Sequence, residues 1–208
     1  VLDDLEDFNV TEVYHKGTKI IRDEKKEIRA CDPKLKNTVH ISNFSEKQLE
    51  LPWKEGKAHI LRMLEGQIVT EDILEEPSYT EKDGQKFFVS DDRFQKIAVI
   101  ERHKGTGKNS VGIVSGFGLR GGAIASSVSH DSHNIIVIGD NDHDMYLAVQ
   151  ELIRTQGGYT LVKNGQVFDT LPLSIMGLMS DLGYEKVNEI LGRMIPEAHR
   201  MGIPDGFD

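Results

Sequence analysis

Short apolar runs broken by turn formers fill the first two-thirds of the chain, and helical spacing appears only in the last third. In residues 10–21, "VTEVYHKGTKII", two β-rich runs flank His15-Lys16-Gly17-Thr18, and Gly17 offers the positive φ of a tight loop, which predicts a hairpin. From residue 39 to residue 99, runs such as "AHILRML" and "KIAVIER" alternate with turn formers like Glu81-Lys82-Asp83-Gly84, so strands and loops are expected. "NIIVIG" (134–139) is an uninterrupted apolar run ended by glycine, the pattern of a buried strand. In the next stretch, Met145, Ala148, Val149, Leu152 and Ile153 fall at the period of a helix. Asn141 with Asp144 resembles a capping box there, and Gly157-Gly158 predicts the stop. "YTLVKNGQVF" predicts a second hairpin through Asn164-Gly165. A last helix is expected from Val187, Ile190, Leu191, Met194 and Ile195, running toward His199 and perturbed by Pro196. Strands with a few helices, without regular βαβ alternation, give the fold class α+β: a mixed β-sheet domain with a few packed helices.

The charged stretch "RDEKKEIRACDPKLKNT" (22–38) lacks an apolar period and contains Pro33 and Asn37, so a domain boundary is placed there, dividing residues 1–38 from 39–208. At 208 residues, 38% apolar and 28% charged, the chain can bury a sizeable core. No apolar run approaches the roughly eighteen residues of a membrane span, and no signal peptide opens the chain, so no membrane partner is expected. The single cysteine, Cys31, cannot form an internal disulfide framework, which points to a cytoplasmic protein. A formal net charge of -9 argues against nucleic acid, whose binding needs clustered Lys and Arg. The opening "VLDDLEDFNV" and the final "GIPDGFD" read as cut ends, so a fragment of something longer is expected.

Chemistry concentrates in "SSVSHDSHNIIVIGD" (126–140). His130 and His133 could face one point on a turn, with Asp131 orienting one imidazole. Two nitrogens are half a metal site, and a catalytic metal usually takes three protein ligands, so His130 and His133 are weak metal candidates that His103 in "ERH" would have to complete. The competing reading is a hydrogen-bonded loop shaping a pocket or interface. Asp140, Asp142, Asp144 and Glu151 have the spacing of a calcium loop, but Met145 stands where that loop needs glycine, so a helix N-terminus is the better reading. Gly116, Gly118 and Gly121 have dinucleotide-loop spacing, yet a strand follows rather than a helix. No phosphate loop, nucleophile elbow, zinc deaminase signature or HxH pair is present. His15, His40, His59 and His199 are assigned to the surface or to ordinary hydrogen bonding, and His143 to a neutral surface role in the first turn of its helix.

The stretch "AVIERHKGTGKNSVGIVSGFGLRGGAIASSVSHDSHNIIVIGDNDHDM" closely resembles the C-terminal domain of bacterial adenine deaminases of the amidohydrolase superfamily, and "TLPLSIMGLMSD" (170–181) resembles that domain's next signature. Glu101-Arg102-His103, Gly116-Phe117-Gly118-Leu119, His130-Asp131-Ser132-His133-Asn134 and Gly177-Leu178-Met179-Ser180 match position by position, while Ser129 and Ser174 depart from the common alanine and proline. The opening "VLDDLEDFNVTEVYHKGTKI" (1–20) is similar to the edge of the small β-sandwich that flanks the catalytic barrel, so residues 1–38 are expected to be a remnant of that sandwich and a linker. The resemblance implies hydrolysis of adenine to hypoxanthine and ammonia with a divalent metal, manganese, iron or zinc, held in a barrel outside this chain. Glu101, Arg102, His103, His130, Asp131, His133 and Asn134 would then face the barrel mouth, and no catalytic residue or cofactor is expected in the chain itself. The implied partners are adenine or a related purine, the chain's own N-terminal catalytic barrel, and a second copy in a homodimer covering exposed apolar surface. Two other readings stay open: a stand-alone module binding a purine-like ligand through the glycine and histidine loops, and an independent metal hydrolase using His103, His130, Asp131 and His133.

Overall fold

The computed structural model describes residues 1–20 and 31–207. The chain divides into two compact units, Val1–Ala30 and Cys31–Asp208. In the first, β1 (Val13–His15) and β2 (Thr18–Ile20) pair antiparallel, as the hairpin pattern predicts. Lys16 and Gly17 both take positive φ, 49° and 78°, the primed turn that matches strand twist. The charged connector lies outside the described residues up to residue 30.

The second unit contains the remaining strands: β3 (Ala58–Met63), β4 (Thr70–Glu75), β5 (Tyr79–Lys82), β6 (Gln85–Phe88), β7 (Phe94–Ile100), β8 (Asn109–Ser115), β9 (Gly122–Ser126), β10 (Ile135–Gly139), β11 (Gly158–Lys163) and β12 (Gln166–Pro172), with helices α1 (Asp142–Thr155) and α2 (Tyr184–Arg200). Eight of them form one sheet in the order β12-β11-β9-β10-β7-β8-β3-β4. Its neighbours are antiparallel except β3 with β8, so the sheet is mixed and the fold is α+β, as expected. β5 and β6 make a separate hairpin through Asp83-Gly84, again with both φ positive.

Both faces of the sheet are covered, which is why β10 reads as a continuous apolar run. On one face Ala98, Ala123, Ala125, Ile135 and Val137 pack against Met145, Ala148, Val149 and Leu152 of α1. On the other, Ile138, Leu161 and Leu171 pack against Ile190 and Met194 of α2 and against Met201 and Ile203 beyond it. Each fully buried Leu, Ile or Met contributes about 1.5–3 kcal/mol. The β4 edge carries Glu71, Asp72 and Glu75, charges that deter pairing with another strand.

α1 starts as predicted: the Asn141 side chain accepts from Asp144 N–H at 2.8 Å. Instead of reaching back to the cap backbone, the Asp144 carboxylate accepts from the Asn141 amide at 3.0 Å and from Gly165 N–H at 2.9 Å, fastening the helix to the β11–β12 turn. Two helix details differ from expectation. The left-handed residue that ends α1 is Gln156, with φ 60°; Gly157 follows it and closes the cap by donating to Leu152 O at 2.8 Å. α2 runs unbroken through Pro196. Ile190 and Met194 before the proline and Ala198 after it pack into the same core, and that burial carries the helix past the missing N–H.

Among the glycines, Gly122 and Gly192 are opposites. A Cβ on Gly122 would strike Val162 O of the neighbouring strand, a backbone atom that cannot yield, whereas one on Gly192 would meet nothing. Gly122→Ala is expected to lower unfolding free energy by about 2 kcal/mol or more, and Gly192→Ala to raise it by about 0.5–1 kcal/mol. Urea denaturation of the two variants beside the parent chain checks both signs.

Candidate functional site

β7 and β10 are antiparallel neighbours with Ile100 opposite Ile135, so the loop after β7 and the loop before β10 emerge side by side. This register brings Glu101, Arg102 and His103 against His130, Asp131, His133 and Asn134, and the turn at 174–180 joins them.

Arg102 is the centre. It is 1% exposed, and its guanidinium donates from Nε to His133 O (2.5 Å), from Nη1 to Thr38 O (3.2 Å) and Oγ1 (3.4 Å), and from Nη2 to Met176 O (3.0 Å). Its backbone adds two more ties: Arg102 N–H donates to Asn134 Oδ1 at 3.4 Å and Arg102 O accepts from His40 N–H at 2.7 Å. Among the described residues no carboxylate pairs with the guanidinium; burial lowers its pKa from the ordinary value, and the carbonyl dipoles take the counterion's place. Gly177 lets the 174–180 turn approach, because a Cβ there would fall 2.7 Å from Arg102 Nη1. Buried Ser127 locks the same turn, donating to Gly177 O at 2.6 Å while accepting from Gly158 N–H at 2.8 Å.

Glu101 organises its own loop. Its carboxylate accepts from the N–H groups of His103 (2.6 Å), Lys104 (2.7 Å) and Thr106 (3.0 Å) and from the Thr106 hydroxyl (2.9 Å). These bonds, the Thr106 backbone bond foremost, hold its pKa down at about 2. His133 Nδ1 lies 2.6 Å from Val128 O and His103 Nε2 lies 3.0 Å from Ser132 O; a carbonyl only accepts, so both nitrogens carry hydrogen and donate. His130 and Asp131 face outward as a pair at 2.5 Å, their side chains 83% and 87% exposed.

All seven candidates thus share one cluster but divide into two sets. Glu101, Arg102, His103, His133 and Asn134 are spent on the scaffold, whereas His130 and Asp131 are presented to the outside. The two imidazoles are 6.1 Å apart, edge to face, with His133 Nδ1 turned to a backbone carbonyl. Among the described residues no group of three or more His, Cys, Asp or Glu could hold a metal ion, so this donor set does not fit the divalent metal that the resemblance implies. The glycine-rich loop is likewise occupied by packing: a Cβ on Gly116 would strike Met63 O, and one on Gly118 would fall 2.5 Å from Gly202 O. Sequence reasoning missed Thr38, which lies in the connector, and Ser127. It had quoted Gly177 without its reason, the close approach of a buried guanidinium.

The family model for the adenine deaminase C-terminal domain matches residues 67–206. The chain belongs to that family. It is 46% identical over 204 residues, 98% of its length, to an adenine deaminase of Desulfitobacterium hafniense (strain Y51), covering 35% of that protein. Over 202 residues (96% of the chain) it is 42% identical to an adenine deaminase of Nitratidesulfovibrio vulgaris (strain DP4), covering 35% of it. Over 214 residues (100% of the chain) it is 42% identical to one of Halalkalibacterium halodurans, covering 36%. The chain spans about a third of the length of these curated relatives. Among the described residues no helix is long and apolar enough to cross a membrane.

Two outcomes follow from this geometry. Arg102→Met removes a buried, fully bonded guanidinium and strips its hydrogen bonds from the carbonyls of Thr38, His133 and Met176, and is expected to cost about 3 kcal/mol or more. Arg102→Lys should recover only part of it, because an ammonium cannot reach three loops as a planar fork does. Denaturant midpoints of the two variants test this. Glu101 has a depressed folded-state pKa, so the stability it contributes is present above its unfolded value of 4.5 and is lost as pH falls through about 2. The stability gap between the parent chain and Glu101→Gln should therefore shrink across that window, as read by denaturation at a series of pH values.

Proposed function

We propose that this chain serves as the C-terminal domain of a metal-dependent adenine deaminase, which hydrolyses adenine to hypoxanthine and ammonia in the cytoplasm. The metal, manganese, iron or zinc, belongs to the catalytic barrel of the longer enzyme, and residues 1–38 are the edge of a flanking β-sandwich plus a connector. Residues 39–208 act by bracing the barrel's substrate loops or closing over the purine. The chain by itself does not deaminate.

The observation that carries this reading is the division of labour in the loop cluster. A buried guanidinium and a chelating carboxylate make the loops rigid, and that rigidity holds His130 and Asp131 outward with both side chains more than four-fifths exposed. A preorganised polar pair of this kind contributes binding energy without an ordering cost at the moment of contact. Names of the relatives support the reaction class, and the share of their length that this chain spans supports a larger catalytic partner.

The test uses a chimera in which this chain replaces the matching third of the Desulfitobacterium hafniense enzyme. The 208-residue chain with added manganese should release no ammonia from adenine, and the chimera should release it. In the chimera, His130→Ala with Asp131→Ala should lower kcat/KM for adenine at least tenfold while leaving the thermal midpoint of the isolated chain unchanged. Full kcat/KM in that double variant would sink the accessory role, and ammonia from the isolated chain would sink the placement of catalysis.

A further inference from the structure

At the other end of β7 and β10 lies a second concentration of charge. Gly139 pairs with Lys96, four residues and roughly 13 Å along the strands from the Ile135–Ile100 pair, and the Arg102 cluster lies beyond that pair. A polar cleft opens there in two adjoining lobes of about 470 and 340 Å³ that share Glu46, Glu50, Lys82, Phe87 and Asp142. Volumes of this size fall within the roughly 300–1,000 Å³ range of ligand sites. The smaller lobe reaches Lys96, whose side chain is only 6% exposed and whose ammonium is ion-paired with Asp142. Burial pushes the Asp142 pKa above its ordinary value, Lys96 opposes that shift, and the charges of Glu46 and Glu50 add to it.

Not every carboxylate here is free to act. Asp140 is held by the N–H groups of Gly121 (2.5 Å) and Gly122 (3.1 Å), and Glu46 takes His143 at 3.2 Å. Among the described residues no hydrogen bond or ion pair engages the side chains of Glu50 or Lys82. The cleft therefore offers a floor of buried Lys96 paired with half-buried Asp142, an aromatic wall at Phe87, and a rim with an unspent acceptor and an unspent donor. Carboxylates outnumber lysines along the combined lining, which repels phosphate and other anions. A ligand must then be flat enough to lie on the aromatic wall, rich in N–H donors for the carboxylates, and supplied with a ring acceptor for a lysine.

We propose that this cleft binds a small flat nitrogen heterocycle bearing an exocyclic amine, at a place separate from the Arg102 cluster. The cleft is argued from its own residues; only the choice of adenine as the probe rests on the proposed function. Adenine presents its amine to Glu50, its ring N–H to Glu46 Oε1, the oxygen that His143 leaves open, and a ring nitrogen to Lys82. Hypoxanthine puts a carbonyl where the amine was, so it faces the carboxylates with an acceptor and is rejected.

Calorimetric titration of the purified 208-residue chain with adenine, hypoxanthine and inorganic phosphate tests the proposal, with amide chemical shifts mapping the site. Saturable 1:1 adenine binding is expected, at least tenfold tighter than hypoxanthine, with phosphate inert and shifts at residues 46–50, 80–90 and 140–143. Glu46→Gln with Glu50→Gln, which leaves the Lys96–Asp142 pair in place, should weaken adenine at least tenfold at an unchanged thermal midpoint. His130→Ala with Asp131→Ala, both exposed, should leave affinity intact. No saturable adenine binding by the folded chain overturns the proposal, as does binding that survives the glutamate changes or is lost with the His130–Asp131 pair. The chimera keeps the two readings apart: its activity with no adenine bound by the isolated chain rejects only the cleft, and adenine bound in the cleft beside an inactive chimera rejects only the accessory role.

Discussion

A single buried guanidinium holds together what the sequence scatters. Thr38, Arg102, His133 and Met176 span nearly the whole second unit in sequence, yet three of them offer carbonyl oxygens to the fourth. Charge-assisted bonds of this kind contribute about 1.5–3 kcal/mol each, and removing the guanidinium forfeits all of them together. The arrangement uses carbonyls where a surface arginine would use a carboxylate. It thereby constrains backbone rather than another side chain, and it fixes the path of three loops at once. Gly177 and Ser127 follow from it, the first because nothing larger fits beside the guanidinium, the second because the turn that supplies Met176 O must itself be tied down.

Much of the fold was legible because its signals are local. Gly17 and Asn164-Gly165 sit where hairpins need positive φ, which few residues supply cheaply, so those two hairpins announce themselves, while Asp83-Gly84 reads only as a turn. The start of α1 is legible for the same reason, since Asn141 serves the helix three residues on. Its end is not. Gln156 takes the left-handed position beside two glycines that could have done so, because Gly157 and Gly158 are needed for close backbone approach, the one against Gly177 and the other against Leu171. Tertiary packing there overrides local preference. Pro196 is a second case: Ile190, Met194 and Ala198 pack into one core on both sides of it, and that burial holds a helix that the proline alone would end.

The candidate residues were legible as a group and illegible as roles. Glu101, Arg102, His103, His130, Asp131, His133 and Asn134 do come together, since the β7–β10 register forces their loops into contact. Which of them face inward depends on where backbone carbonyls of other loops fall, and a carbonyl has no side-chain signature. Histidines three apart suggest a shared ligand, but once His133 Nδ1 donates to Val128 O the pair is a half-buried strut and an exposed imidazole. Lys96 was harder still: it opens an apolar run whose neighbours are core, and only the approach of Asp142 from α1 makes its burial possible.

These placements share a cause in the sheet. With helices on both faces, the middle of every central strand is closed to polar chemistry, and charged groups can act only where the strands end. The two ends of the β7–β10 pair resolve that constraint differently. At the Ile100 end the polar groups consume one another: carbonyls saturate the guanidinium and backbone N–H groups saturate Glu101, leaving a stiff surface whose free groups point outward. At the Lys96 end the pairing stops short, with one ion pair at the floor and uncommitted Glu50 and Lys82 on the rim of an open volume. A saturated network suits a surface that presses against another body, because nothing in it needs a further partner. An unsaturated one keeps its hydrogen-bonding capacity for a molecule small enough to enter. That difference in satisfaction, more than any motif, separates the surface assigned to docking from the cleft assigned to a ligand.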